Sequence, residues 1–427
     1  MLATYQQSFR LFSRDVRLFL FAGAFVGFTY FGIYALLLNL YLLRLGYGPA
    51  VIGLVNAAGP LALALGSLPA GVLSQRWGSR RSLILGFSLL MLGFGLLPLV
   101  EFIPDGGRIG WLVATYMLAW LGGTFFVVSG NPFLVSATTA QERNHAFALQ
   151  SAILALSGFV GNLVGGLLPG WFAGIFDVGL EQALPYRYPL WFAAALMLPA
   201  VFAAWALQPV SDEPDQRSAA SSAAAPVTMM LLLTLVFLLR VAGEWAMRIF
   251  FNVYLDAGLH ETTARIGTLT AVGQLLGIAA LSAPLAMARW GKVRTIGWGS
   301  VGMACAYLPL ILLRHWVGAG LGFMGMVALV SLTNPMFTVF TLESVPARWR
   351  NMMAGTMFMA MGGAVALIAL GGGYLIEGLG YRTLFLISAS LPLVGALLFF
   401  SCFGHNRQEV IGLSAVMETR VDQGGEI

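Results

Sequence analysis

Charge is what this sequence has least of. Across 427 residues, Asp, Glu, Lys and Arg together make up 10%, against roughly 25% in an ordinary soluble domain. So small a supply cannot cover a solvated surface, which excludes a water-soluble globular fold. Cysteine is scarcer still. Cys305 and Cys402 both lie inside apolar stretches, which excludes a disulfide framework and a thiolate metal site. The four histidines, His145, His260, His315 and His405, are scattered singly. They form no constellation with Asp or Cys of the kind a membrane enzyme needs. No G-x-x-x-x-G-K-[ST] loop occurs, so ATP is not an energy source. The formal charge of +5 comes from cations in short clusters between apolar runs, which is not the footprint of a nucleic-acid partner. No cofactor and no metal are expected.

What the chain has instead is apolar length. Hydrophobic residues make up 59% of it, and mean hydropathy is +0.83. A helix of about 20 residues spans the hydrocarbon core. Runs such as Leu83–Val100 and Leu384–Phe400 do not alternate, which favours helices over a barrel. The pattern predicts an all-α membrane protein of twelve helices. In the first half they fall near 17–43, 49–74, 81–101, 109–136, 145–174 and 187–207. In the second half they fall near 228–255, 264–288, 294–313, 317–342, 352–376 and 383–403. Arg10, Arg14 and Arg17 precede a run from Leu18 to Leu43 without a convincing cleavage site, so this is read as a retained first helix. The organisation is then 1–207, a six-helix half; 208–227, a polar Pro/Ser/Ala linker; 228–403, a second six-helix half; and 404–427, a tail. With the N-terminus inside, Arg10, Arg14, Arg17, Arg76, Arg80, Arg81, Arg143, Arg217, Arg289, Lys292, Arg294, Arg348, Arg350, Arg407 and Arg420 are cytoplasmic. Arg44, Arg108, Arg187, Arg265, Arg314 and Arg382 lie outside. That bias places both termini in the cytoplasm of a multi-pass protein of the plasma or inner membrane.

The halves repeat one another. Asn39-Leu40-Tyr41 returns as Asn252-Val253-Tyr254, and Arg76-Trp77-Gly78 as Arg289-Trp290-Gly291, both 213 residues on. Asn131-Pro132 is echoed by Asn334-Pro335, and Tyr186-Arg187 by Tyr381-Arg382. Ordered matches at equivalent places indicate a parallel duplication, the layout of one class of transporters. The loop after the second helix sharpens this. Gly71, Gln75, Arg76, Gly78 and Arg80, followed by Arg81, resemble the G-x-x-x-D-R-x-G-R-R signature of the major facilitator superfamily, with Gln75 in place of the acid. Arg289, Gly291 and Lys292 form a weaker second copy. The resemblance implies a cytoplasmic gate at these residues, and the missing acid puts its charge latch in doubt. The residue-level alternative is that the cations only anchor the loop at an anionic membrane face.

Helix 5 carries Gly158, Gly161, Asn162, Gly165 and Gly166. This is similar to the G-P-x-x-G-G element of the family's antiporters, with Asn162 where Pro would stand. Close helix packing explains the same spacing. The arginine that drug-efflux members often carry in helix 4 is absent from Leu118–Val128.

Helix 7 is the most informative. Arg240, Glu244 and Arg248 lie at i, i+4 and i+8 and share a face. Arg240 sits roughly 16 Å from the start of the apolar run, near the bilayer centre. A charge there costs about 2.5–3.5 kcal/mol on insertion scales, so the face is expected to look at a cavity or at the other half. Three readings stay open: a structural ion ladder, an anion-binding site, or a proton-coupling site centred on Glu244. Tyr30, Tyr34, Asn162 and Gln274 are the polar mid-helix residues expected to face inward. Asn131-Pro132 and Asn334-Pro335 are read as kinks serving gating.

The expectation is a monomeric secondary transporter of a small-molecule substrate, embedded in the lipid bilayer and coupled to protons. It leans slightly to efflux of an amphipathic or anionic compound. Proton-symport uptake of an organic anion, or a lipid-handling or sensor role on the same fold, are the alternatives.

Overall fold

The structure is a computed structural model that describes residues 12–208, 226–277, 289–346 and 349–404. The middle of the expected linker, the tail beyond Gly404, Arg10, Arg348 and the stretch 278–288 lie outside the described residues.

Among these, the protein is helical throughout. In chain order the helices are α1 (Arg14–Arg44), α2 (Pro49–Trp77), α3 (Ser79–Phe102), α4 (Asp105–Ser136), α5 (Ala140–Phe176), α6 (Leu184–Trp205), α7 (Val227–Gly258), α8 (Thr263–Leu275), α9 (Lys292–Leu312), α10 (Trp316–Glu343), α11 (350–379) and α12 (381–403). Ten stretches are long and apolar enough to cross a membrane. Their ends follow local rules. The Ser13 hydroxyl accepts from the Val16 amide and caps α1. Pro49 opens α2 at a position where no amide is needed. Thr139 and Glu142 form a reciprocal capping box at α5.

The helices expected at 352–376 and 383–403 are two helices that meet at Gly380, whose φ of 82° only glycine adopts without strain. Helical residues reach the glycine from both sides, so the connection is tighter than the interval 377–382 read from sequence. Of the helix expected at 264–288, the described part is α8 and the turn to Gly277.

The bundle has apolar residues on both its faces. Tyr34, Phe87, Phe250 and Phe385 are buried in the interior, while Leu65, Leu167, Phe202, Leu367 and Leu397 are exposed on the outside, where lipid tails cover them. Glycines set the closest helix contacts. Gly161 of α5 lies against Phe28 and Gly32 of α1, and Gly166 faces Gly267 of α8. Any side chain there would meet backbone. In lipid such approach is itself the source of helix–helix attraction, so the glycines of α5 pack helices.

Candidate functional site

The helices enclose a cavity of about 430 Å³. Aromatic rings form much of one part of its wall: Tyr30, Phe31 and Tyr34 from α1, Phe94 from α3, Tyr116 and Trp120 from α4, Trp245 from α7 and Phe323 from α10. Between Gly27 and Tyr34 the hydrogen bonding of α1 widens to i→i+5. Such a bulge slips one extra residue into the turn and re-aims the side chains around it. Tyr30 meets Trp120 edge-on with ring centroids 5.8 Å apart, and Trp120 meets Trp245 at 6.3 Å. Amides supply most of the polarity: Asn39, Asn56, Asn162, Asn252 and Gln274.

Glu244 and Arg248 are the charged residues of this wall. Arg248 Nε donates to Glu244 Oε1 at 2.7 Å. Asn334 Nδ2 stands 3.5 Å from the other carboxylate oxygen. The Glu244 side chain is 9% exposed and that of Arg248 30%, so the guanidinium is the half of the pair within reach of a solute.

The expected charged face of α7 divides here. Arg240 is not part of the cavity wall. It is buried against α10, where Nη2 donates to Thr333 Oγ1 at 2.6 Å and the guanidinium sits 4.9 Å from the Phe337 ring centre. Its Nε and Nη1 have no hydrogen-bond partner among the described residues. The reason is rotational. Eight residues of α-helix turn through 800°, about 80° beyond two full turns, so a three-residue face wraps away from a narrow cavity. Of the other expected residues, Tyr30, Tyr34, Asn162 and Gln274 all line the cavity. Two of them also tie helices. Tyr34 donates to the carbonyls of Phe94 and Leu190, and Asn162 to those of Phe31 and Gly158. Asn334, read from sequence as part of a kink, is instead a neighbour of Glu244.

Near the cavity, α1 and α7 bind one another reciprocally. Asn39 Nδ2 donates to the Ile249 carbonyl at 2.9 Å, and Asn252 Nδ2 to the Ala35 carbonyl at 3.1 Å. These are the two asparagines that mark the sequence repeat. Asn56 Nδ2 holds Asn39 Oδ1 at 2.7 Å.

One end of the bundle is tied shut by polar contacts that sequence reading passed over. Arg44 at the end of α1 grips Asp256 in α7 with both terminal nitrogens, at 2.8 and 2.6 Å, while Nε donates to the Leu180 carbonyl. Their side chains are 15% and 8% exposed. The Ala50 amide donates to Glu377 Oε1, and Tyr186 shares a hydrogen bond with Thr263. Arg187 pairs with Glu101, which also accepts from Tyr41. In sequence Arg44 and Arg187 counted only toward orientation.

The opposite end carries the signature turns. Gly78 and Gly291 have φ of 81° and 78°, the conformation each turn requires. Gly71 lies inside α2 in ordinary contact with Val128, so the turn does not depend on it. Arg80 donates to the Trp205 carbonyl, and Lys292 pairs with Glu343. Gln75, Arg76, Arg81 and Arg289 are exposed. Among the described residues, Gln75 makes no hydrogen bond to a helix end or to an arginine.

The sequence profile of the Major Facilitator Superfamily matches residues 19–369. The chain belongs to that superfamily. This facilitator is 25% identical over 179 residues to the multidrug resistance protein MdtH of Proteus mirabilis. That match spans 42% of this chain and 40% of MdtH, less than half of its length. Solved structures share the fold. The nucleoside transporter NupG superposes with a TM-score of 0.69 at 16% identity, covering 92% of this chain and all of its own. The xylose transporter XylE from E. coli, in an inward open conformation, superposes at 0.70 and 13% identity, covering 94% and 98%. A bacterial homologue of the iron transporter ferroportin, inward-facing, gives 0.71 at 15% identity, with 91% and 98% covered. The facilitator is thus a multi-pass membrane protein of that superfamily.

Proposed function

We propose that this facilitator is a proton-coupled secondary transporter of a small amphipathic organic anion, with Glu244 and Arg248 as its coupling and binding groups. One observation carries the reading: the charged residues of the cavity wall are a single carboxylate–guanidinium pair, set among aromatic rings. Arg presents a planar fork suited to a carboxylate or phosphate. A carboxylate held by an arginine in a membrane interior is a site where proton and substrate binding communicate. Six helices on either side of the 208–227 interval rock about this site in the alternating access of the fold. The contacts around Arg44 and Asp256 support a state closed at that end, and both termini lie at the other, cytoplasmic end. The protein acts as a monomer in the plasma or inner membrane.

A second reading, export of an amphipathic compound in exchange for protons, is favoured by the likeness to MdtH and by the glycine-rich α5. Purified protein in liposomes loaded with a pH-sensitive dye tests both. Organic anions and amphiphilic drugs are screened under an imposed proton gradient. Solute flux is expected to move protons in the wild type, to lose that link in Glu244→Gln and to cease in Arg248→Ala. Wild-type behaviour in both variants would remove the pair from the mechanism.

A further inference from the structure

We infer that a proton and an aromatic carboxylate occupy the cavity together rather than in turn, so that both cross the membrane in the same direction. The inference rests on the proposed role of Glu244 and Arg248 and fixes two things that role leaves open: the sign of the coupling and the class of solute.

The sign follows from charge. Arg248 Nε is already engaged by Glu244 at 2.7 Å. A solute carboxylate arriving at the same guanidinium meets a second anion one hydrogen bond away, among aromatic rings where charge is screened less than in bulk water. Adding a proton to Glu244 removes that repulsion. It also turns an acceptor-only group into one with a donor, which frees the guanidinium. Asn334, 3.5 Å from Oε2, is placed to hold the neutral acid through its amide. Each ligand therefore favours the other, and by linkage the effect is reciprocal. The proton ends on Glu244, the solute on Arg248, and the loaded site gains no net charge. A cationic solute would reverse the logic. It would take Glu244 itself and compete with the proton, the arrangement suited to exchange.

The other charged and titratable groups near Glu244 do not change the sign of the coupling. Arg240, one turn away on the same helix and held by Thr333 and Phe337, interacts with Glu244 through its charge, but it does so with and without solute. The Tyr307 hydroxyl donates to the Gly243 carbonyl. Tyr30, Tyr34 and Tyr116 face the site from across the cavity. Among the described residues, the cavity wall holds no second carboxylate, no lysine and no histidine.

The class follows from the rings. Trp245 and Arg248 are three residues apart on α7 and so neighbours on its surface, both on the cavity wall. A solute whose carboxylate sits on Arg248 lays its body against Trp245, with Trp120, Tyr30 and Phe323 completing the wall. Flat aromatic bodies gain about 0.5–1.5 kcal/mol beyond area burial in such company. The volume of about 430 Å³ falls within the size range of small-ligand sites.

Calorimetric titration of the purified full-length protein with 1-naphthoate, at about pH 6 and about pH 8 where a carboxylic acid of ordinary strength stays ionised, reads both claims. Repeating it in two buffers of different ionisation enthalpy counts protons. The expected result is uptake of up to about one proton per naphthoate and binding at least about tenfold tighter at the lower pH, within the tenfold-per-unit limit for one linked proton. Glu244→Gln is expected to bind equally at both values with no proton uptake, and Arg248→Ala to lose binding. Proton release, or weaker binding at the lower pH, overturns the shared occupancy. If Arg248→Ala still abolishes binding in that case, the proposed site survives it. Binding of 1-naphthylmethylammonium in place of the carboxylate overturns the solute class. Unaltered naphthoate binding in both variants overturns the site as well.

Discussion

Opening the bundle at the Arg44 end requires breaking the Arg44–Asp256 pair. Asp256→Ala removes a carboxylate held by two nitrogens at 2.8 and 2.6 Å, between side chains only 15% and 8% exposed. Breaking a buried pair by deleting one partner costs about 3–5 kcal/mol. Arg44 keeps two partial compensations, the Leu180 carbonyl and the face of Tyr186 at 5.2 Å. The loss is specific to the closed state, because separation of α1 from α7 lets water solvate both charges. A net shift of about 2–3 kcal/mol toward the open state is therefore expected, about 30- to 150-fold in the equilibrium. The assay is distance measurement between spin labels at Gly106 and Leu379, both exposed, after Cys305 and Cys402, the free exposed cysteines, are replaced by serine. Asp256→Ala should populate longer distances. Exchanging the charges, Arg44→Asp with Asp256→Arg, should recover part of the short population. A distribution unchanged by Asp256→Ala would show that the pair does not hold this end closed.

Two further substitutions separate packing from function. Gly161→Val places a branched side chain against the backbone of Phe28 and Gly32; it should lower the melting temperature in detergent sharply or abolish folded yield, and near-wild-type melting would contradict the close crossing of α1 and α5. Arg240→Met removes a buried cation with two unpartnered nitrogens while keeping bulk beside Phe337. Stability should hold or rise, since replacing a buried charge by an apolar residue is often neutral or stabilising, and loss of transport with intact melting would return Arg240 to the mechanism.

Most of the architecture was legible because lipid imposes a simple rule: every backbone group must be bonded within its own helix. Apolar run length then locates helices to within a few residues, as at α2, α4 and α10. The break at Gly380 falls inside the interval read between the helices at 352–376 and 383–403, and only its tightness, with helix on both sides, went unread. Glu244 and Arg248 were legible because charge in an apolar run is costly and so conspicuous. Arg240 carried the same signal and lies elsewhere, since period alone does not say how wide a face the cavity sees. Asn334 and Trp245 went unread for the opposite reason. An amide beside a proline and an aromatic in a hydrophobic run each have a common structural explanation. Arg44 and Asp256 lie at helix ends, where charge is ordinary, and only the fold brings them within 3 Å of each other.

The contacts between α1 and α7 differ in kind along their length. At the end they are an ion pair; near the cavity they are amide-to-carbonyl bonds from Asn39 and Asn252. Those acceptors are helix carbonyls already engaged in their own ladder, so each asparagine uses a second lone pair. Asn252 Nδ2 lies 3.1 Å from the Ala35 oxygen and 3.4 Å from that of Leu36, so a small rotation passes it from one to the other without leaving it bare. A bond of this sort contributes about 0.5–1.5 kcal/mol and suits a contact that must turn while staying closed. The pair at Arg44 can only hold or let go. Asn252→Ala should therefore leave the spin-label distances at the Arg44 end nearly as in the wild type, whereas Asp256→Ala lengthens them. A shift in Asn252→Ala as large as that in Asp256→Ala would mean that the asparagines share the locking role and that α1 and α7 part along their whole length.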